Sequence, residues 1–69
     1  MKLSTRNQLA GTVEQIRTGE VMASVKVALA GGDVITAAIT AEAVSDLGLE
    51  PGSSVTVLVK ATEVMLATD

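Results

Sequence analysis

Along one stretch of this chain apolar residues alternate without a break. Val21, Ala23, Val25, Val27 and Leu29 share one parity, and Met22, Ser24, Lys26 and Ala28 share the other. Successive side chains of a strand point to opposite faces, so this pattern predicts a half-buried strand from Val21 to Leu29. Upstream, residues 5 to 16 read as a first strand. Leu9, Gly11 and Val13 share a parity that Ile16 breaks, and the phase change near Glu14-Gln15 predicts a bulge or a strand bent around a barrel corner. Thr18-Gly19-Glu20 joins the two strands as a turn. Ala30-Gly31-Gly32-Asp33 is a hairpin signal, because paired glycines accept positive φ, and Val34 to Thr40 follows as a third strand.

Thr40 then reads as a helix N-cap, with Ala41 to Leu47 as two helical turns whose Val44 and Leu47 face the core. Gly48 suits the left-handed position after the helix, and Pro51-Gly52 the next turn. Val55, Val57 and Val59 alternate through a fourth strand ending at Lys60. Val64 to Ala67 reads as a short fifth. The expected architecture is all-β with one short helix, in the order β-β-β-α-β-β, which matches the five-stranded, partly open Greek-key barrel of OB type.

Composition changes this picture in one respect. The chain has 69 residues, enough for a single domain spanning 1–69, and 48% of them are apolar, yet there is no Cys, His, Phe, Trp or Tyr. A domain this short buries only about 60% of the surface its unfolded chain exposes. Disulfides, a structural zinc site and large aromatic core residues are all excluded as staples. The outward parity is also apolar at Met22, Ala28, Ala38, Leu58 and either Met65 or Leu66. Both features predict that the core is completed against further copies of the same chain.

The formal charge of −3 provides no global field for nucleic acid. OB-type barrels that bind single strands use stacking aromatics and a basic groove, and this chain has neither. No stretch approaches the ~20 apolar residues of a membrane span, and Met1 to Thr5 has no apolar signal core. The absence of cysteine fits a reducing compartment. These features read as a cytoplasmic protein with no nucleic-acid or membrane partner. Without His, an activated hydroxyl nucleophile has no customary base. A Ser4–Lys60 dyad is not favoured by its spacing, and Gly31-Gly32 lies in a hairpin rather than in a phosphate loop. The chain is read as a non-enzyme without direct protein–metal ligands.

What remains is a set of hydrogen-bond donors. Ser4, Thr5, Arg6 and Asn7 bring two hydroxyls, a guanidinium and an amide into four residues. A tetrahedral oxyanion such as molybdate, tungstate or sulfate presents only acceptors, so it needs such a set. Lys60, Ala61 and Thr62 form a second cluster, with an ammonium at a strand end, a small residue whose backbone N–H is approachable, and a hydroxyl. Thr40-Ala41-Glu42-Ala43 at the helix start forms a third, with Thr40 capping one N–H and Glu42 placing a carboxylate in the first turn. Read singly, each has an ordinary alternative: a solvated strand entrance, a turn with a snorkelling lysine, and a well-made cap.

In combination these segments resemble a known family. The run Ser4-Thr5-Arg6-Asn7-Gln8-Leu9-Ala10-Gly11, the hairpin Ala30-Gly31-Gly32, Ile39-Thr40, Leu47-Gly48-Leu49, Pro51-Gly52 and Lys60-Ala61-Thr62-Glu63-Val64-Met65 are similar to the molbindins. These are small cytoplasmic molybdate-binding proteins made of a single Mop domain of the TOBE type. The resemblance implies a homohexamer, a trimer of dimers, with molybdate or tungstate held between subunits. One site class would take Ser4, Thr5, Arg6 and Asn7 from one subunit and Lys60, Ala61 and Thr62 from a neighbour. Where Ala61 stands a hydroxyl residue would also fit, so only its backbone donates. A second class near the threefold axis would use Ile39, Thr40 and Ala41. Storage or buffering of the anion is the implied function; the alternative is a structural or regulatory module of OB type without its own ligand. Fused sensors and transporters carry a DNA-binding or ATPase domain that these 69 residues lack, which favours the first.

Overall fold

The computed structural model describes residues 2–69. Four strands, β1 (Asn7–Thr18), β2 (Met22–Leu29), β3 (Val34–Thr40) and β4 (Ser54–Val59), and one helix, α1 (Ala41–Leu47), follow in the order β-β-β-α-β. The strands form one antiparallel sheet in the order β3-β2-β1-β4. The fourth strand thus returns beside the first, which is the Greek-key arrangement. The sheet curls into a half-barrel, leaving β3 and β4 as its two edges.

Local chemistry accounts for each joint. β1 changes register between Val13 and Gln15, a bulge at the place where the apolar phase shifts. Asn7 to Thr12, before the bulge, pair with β4, whereas Gly11 to Thr18 pair with β2 on both sides of it. In the β2–β3 hairpin Gly32 adopts φ 98°, and its N–H donates to Leu29 O at 3.0 Å. Thr40 caps α1, its hydroxyl accepting from Ala43 N–H at 3.0 Å, and Gly48 ends the helix at φ 63°. The crossover to β4 is pinned on the bulge. Val13 N–H donates to Ser53 O at 2.9 Å, and Gly52 N–H to Val13 O at 2.8 Å.

The core is small. Val13, Ala23, Val25 and Val27 are the buried residues. Ile16, Leu29, Ile39, Val44, Val55 and Val57 pack around them half-buried. The inward parity of β2 is therefore as expected, apart from Val21, which lies before the strand and is exposed.

Two expectations are corrected. Val64 to Ala67 is not a fifth strand: Ala61–Glu63 form a single 3-10 turn, and the residues beyond it pair with no strand. Met65 and Leu66 are 91% and 93% exposed. A short apolar run signals burial but specifies no partner edge, and no ladder among the described residues takes this one up. Leu47, expected in the core, is 69% exposed. It stands at the rim of an apolar groove of about 260 Å³ with Leu49, Ile39, Val57 and Leu58. Only Val44 of the helix reaches the core, because α1 lies across the ends of β2 and β3 and no layer among the described residues covers the opening between the sheet edges.

Candidate functional site

The start of β1 and the end of β4 lie side by side. Asn7 is directly opposite Val59 in the ladder. The Asn7 side chain adds a bond of its own, donating from Nδ2 to Val59 O at 3.1 Å. One rung beyond this pair, the chain continues into Arg6 on one strand and Lys60 on the other. The segments Ser4, Thr5, Arg6, Asn7 and Lys60, Ala61, Thr62 therefore lie at the same end of the sheet within one chain, although 52 residues separate the paired positions.

Each segment is shaped locally. Gln8 reaches back from β1 and donates from Nε2 to Thr5 O at 2.8 Å, which holds the strand entrance in a bend. After β4, Glu63 N–H donates to Lys60 O at 2.9 Å and Val64 N–H to Ala61 O at 3.3 Å, closing the 3-10 turn. The first bond of such a turn belongs to its third residue, so the N–H groups of Ala61 and Thr62 have no partner inside it. They remain as donors beside the Thr62 hydroxyl and the Lys60 ammonium. Half of the Asn7 amide's donor capacity is already used by Val59.

Arg6 and Lys60 are both exposed, and their exposure governs what this end can do alone. At 4 Å in bulk water a unit charge pair gains only about 1 kcal/mol, against about 4 kcal/mol at an effective dielectric near 20. A single chain with this open end thus offers a weakly attractive, well-equipped surface. The same donors become strong where a second surface excludes water.

Ile39, Thr40 and Ala41 lie at the opposite end of the sheet, where β3 runs into α1. Ile39 packs on the core. Ala41 N–H donates to Val21 O at 2.8 Å, and the Thr40 hydroxyl accepts from Ala43 N–H. This group is separate from the first, and two of its donors or acceptors are already engaged in making the cap. The Gln8 contact was not anticipated; its only sequence signal is a carboxamide three residues after Thr5, at a spacing that allows a side chain to bond back to the main chain.

Fold and site together define a class: a small Greek-key half-barrel of OB-like type with a donor-rich strand end. The chain belongs to the TOBE domain family, whose model matches residues 3–66. It is 41% identical over 66 residues to molybdenum-pterin-binding protein 3 of Clostridium pasteurianum, covering 96% of this chain and 97% of that one. Among solved structures it is similar to a molybdate-binding protein from Sporomusa ovata, with 47% identity, TM-score 0.93 and coverage of 99% of this chain and 100% of the other. It also resembles the cytoplasmic molybdate-binding protein ModG in a form with molybdate bound. There the identity is 52% and the TM-score 0.85, over 88% of this chain and 43% of ModG. The likeness to the molbindins, drawn from motifs spread along the chain, is thereby borne out. No helix among the described residues is long and apolar enough to cross a membrane.

Proposed function

We propose that this protein binds molybdate, or the isostructural tungstate, reversibly and without chemistry, and so stores or buffers it in the cytoplasm. The observation that carries the reading is the Asn7–Val59 pairing, which gathers the donors of both chain ends at one place. A tetrahedral dianion there meets the Arg6 fork, the Lys60 ammonium, the hydroxyls of Ser4, Thr5 and Thr62, the remaining Asn7 N–H and the backbone of Ala61 and Thr62. Hydrogen bonds to charged groups contribute about 1.5–3 kcal/mol each.

A neighbouring protomer closes the site. The exposure of Arg6 and Lys60, the small core and the uncovered Met65 and Leu66 all favour an assembly in which these ends face one another. A homohexamer built as a trimer of dimers provides such crevices. It also brings copies of Ile39, Thr40 and Ala41 together around an axis, where the Thr40 O–H is the donor each copy has left for a second site class. The names of the relatives, molybdenum-pterin-binding and molybdate-binding proteins, support the ligand.

Titration calorimetry with molybdate, tungstate, sulfate and phosphate tests the reading, with native mass spectrometry reporting assembly and bound ions. Arg6→Ala and Lys60→Ala are each expected to weaken molybdate binding about 10- to 100-fold, the equivalent of one lost charge-assisted bond, and to leave the fold intact. Unchanged affinity in both would remove the site assignment. No heat with any anion would favour a structural module without a ligand of its own.

A further inference from the structure

Two neighbouring carboxamides sit where the donor segments leave the sheet, and each bonds to a different segment. Asn7 Nδ2 donates to the carbonyl of Val59, the residue before Lys60, at 3.1 Å. Gln8 Nε2 donates to the carbonyl of Thr5, the residue before Arg6, at 2.8 Å. Consecutive strand residues point to opposite faces, so the two amides reach in opposite directions from one short stretch of β1. Neither bond is needed to complete the sheet, because the β1–β4 ladder already runs from Asn7–Val59 to Thr12–Ser54 through the backbone.

We propose that Asn7 and Gln8 are positioning residues that hold the oxyanion donors in place before the ligand arrives. Gln8 fixes the Ser4–Arg6 entrance through Thr5, and Asn7 fixes the Lys60–Thr62 segment through Val59. The inference rests on the oxyanion reading above and adds to it a second role for Asn7, whose remaining N–H faces the ion, and a role for Gln8, which sets the geometry of the site without having to touch the ion.

The physical need is clear from position. Residues 2 to 6 precede the first strand, and residues 60 to 69 follow the last one. Chain ends are poorly ordered unless tied down. A donor set carried on loose ends would have to be ordered by the ion itself, and that ordering would be subtracted from affinity. Within the Lys60 segment the 3-10 turn bonds hold Lys60 O and Ala61 O, and the Asn7 amide adds a side-chain bond to Val59, the last ladder residue before that segment. In the Ser4–Arg6 entrance, the side-chain bond to the main chain comes from Gln8.

The test compares wild type with Gln8→Met, which keeps the length of the side chain and removes its donor, and with Lys60→Ala as the contact control. Gln8 is exposed and in no core contact, so the variant folds. Three quantities are read: molybdate affinity by calorimetry, the ligand-free melting temperature, and ¹⁵N order parameters of the ligand-free protein. Gln8→Met is expected to bind molybdate about 3- to 10-fold more weakly, the loss of one ordinary hydrogen bond's worth of restraint. Its melting temperature should stay that of wild type. Order parameters at residues 4–6 should drop from near ~0.85 toward ~0.6, while those at 60–62 stay high. Asn7→Ala should show the reverse localisation, with the loss at 60–62. Lys60→Ala should lose affinity without any change in order at 4–6.

A Gln8→Met protein that binds within twofold of wild type, or whose order at 4–6 is unchanged, overturns the proposal while the oxyanion reading stands. An affinity loss matched by a general fall in melting temperature also overturns it, since that marks a merely structural role. A wild type silent to molybdate overturns the oxyanion reading and the proposal with it.

Discussion

Gly11, like Thr12 next to it, pairs with β2 and β4 at once, opposite Leu29 on one side and Val55 on the other. A Cβ built on it would lie 2.5 Å from Val27 Cγ1, 3.0 Å from Ala28 O and 3.3 Å from Leu29 Cδ2, against an ordinary contact of 3.4–4 Å. Val27 is 4% exposed, and as a β-branched residue it has few χ1 alternatives. Ala28 O is backbone in the central pair of strands and cannot turn aside. Gly11→Ala therefore forces β1 and β2 apart by a fraction of an ångström along the core. Overpacking of this kind costs about 1–3 kcal/mol. Replacing a glycine returns about 0.4–1 kcal/mol by restricting the unfolded chain. The expected net is a destabilisation of about 1–2 kcal/mol, and at about 4–8 °C per kcal/mol for a domain of this size, a fall of roughly 5–15 °C in melting temperature. Far-UV circular dichroism or calorimetry must be the assay, because the chain contains no aromatic residue to fluoresce. Chain concentration is held fixed, since the proposed association would make the midpoint concentration-dependent. Gly31→Ala is the control: it meets no atom within 4 Å and has no positive φ, so it should be neutral or slightly stabilising. A Gly11→Ala protein that melts at or above wild type would refute the close approach of β1 and β2.

Other perturbations follow from the same geometry. Thr40→Ala removes the acceptor for Ala43 N–H and should cost about 1 kcal/mol; an unchanged melting temperature would show that the cap contributes no stability. Gly48→Ala places a Cβ at φ 63° and should cost about 1–2 kcal/mol, so a stabilised variant would contradict the left-handed helix end. Leu58→Lys puts a charge on the uncovered face of edge strand β4, where Leu58 is 46% exposed, and should shift the proposed assembly toward smaller species in native mass spectrometry. An unaltered distribution would show that this face lies outside every subunit contact.

The features legible in the amino-acid sequence are those determined by neighbours a few residues apart. The alternation from Ala23 to Val27 is the pleat of one strand, and the phase shift near Glu14-Gln15 is the bulge. Gly32 and Gly48 mark positive φ, and Thr40 marks a cap whose bond spans three residues. Each follows from covalent geometry and local hydrogen bonding, which the tertiary fold has no reason to override. The candidate donors are equally local as residue types, and their number is readable directly because so much other chemistry is absent.

Tertiary structure alone decided what those donors face. That Arg6 and Lys60 share one sheet end depends on the Greek-key return of β4 beside β1, a pairing across 52 residues. The same topology sent Ile39, Thr40 and Ala41 to the other end and committed the Ala41 N–H to Val21 O. Val64 to Ala67 and Leu47 could not be placed by pattern, because apolarity reports a demand for burial and says nothing of which surface meets it. Strand edges satisfy one another only in three dimensions, so the number of strands and the partners of the chain ends were settled by the folded sheet.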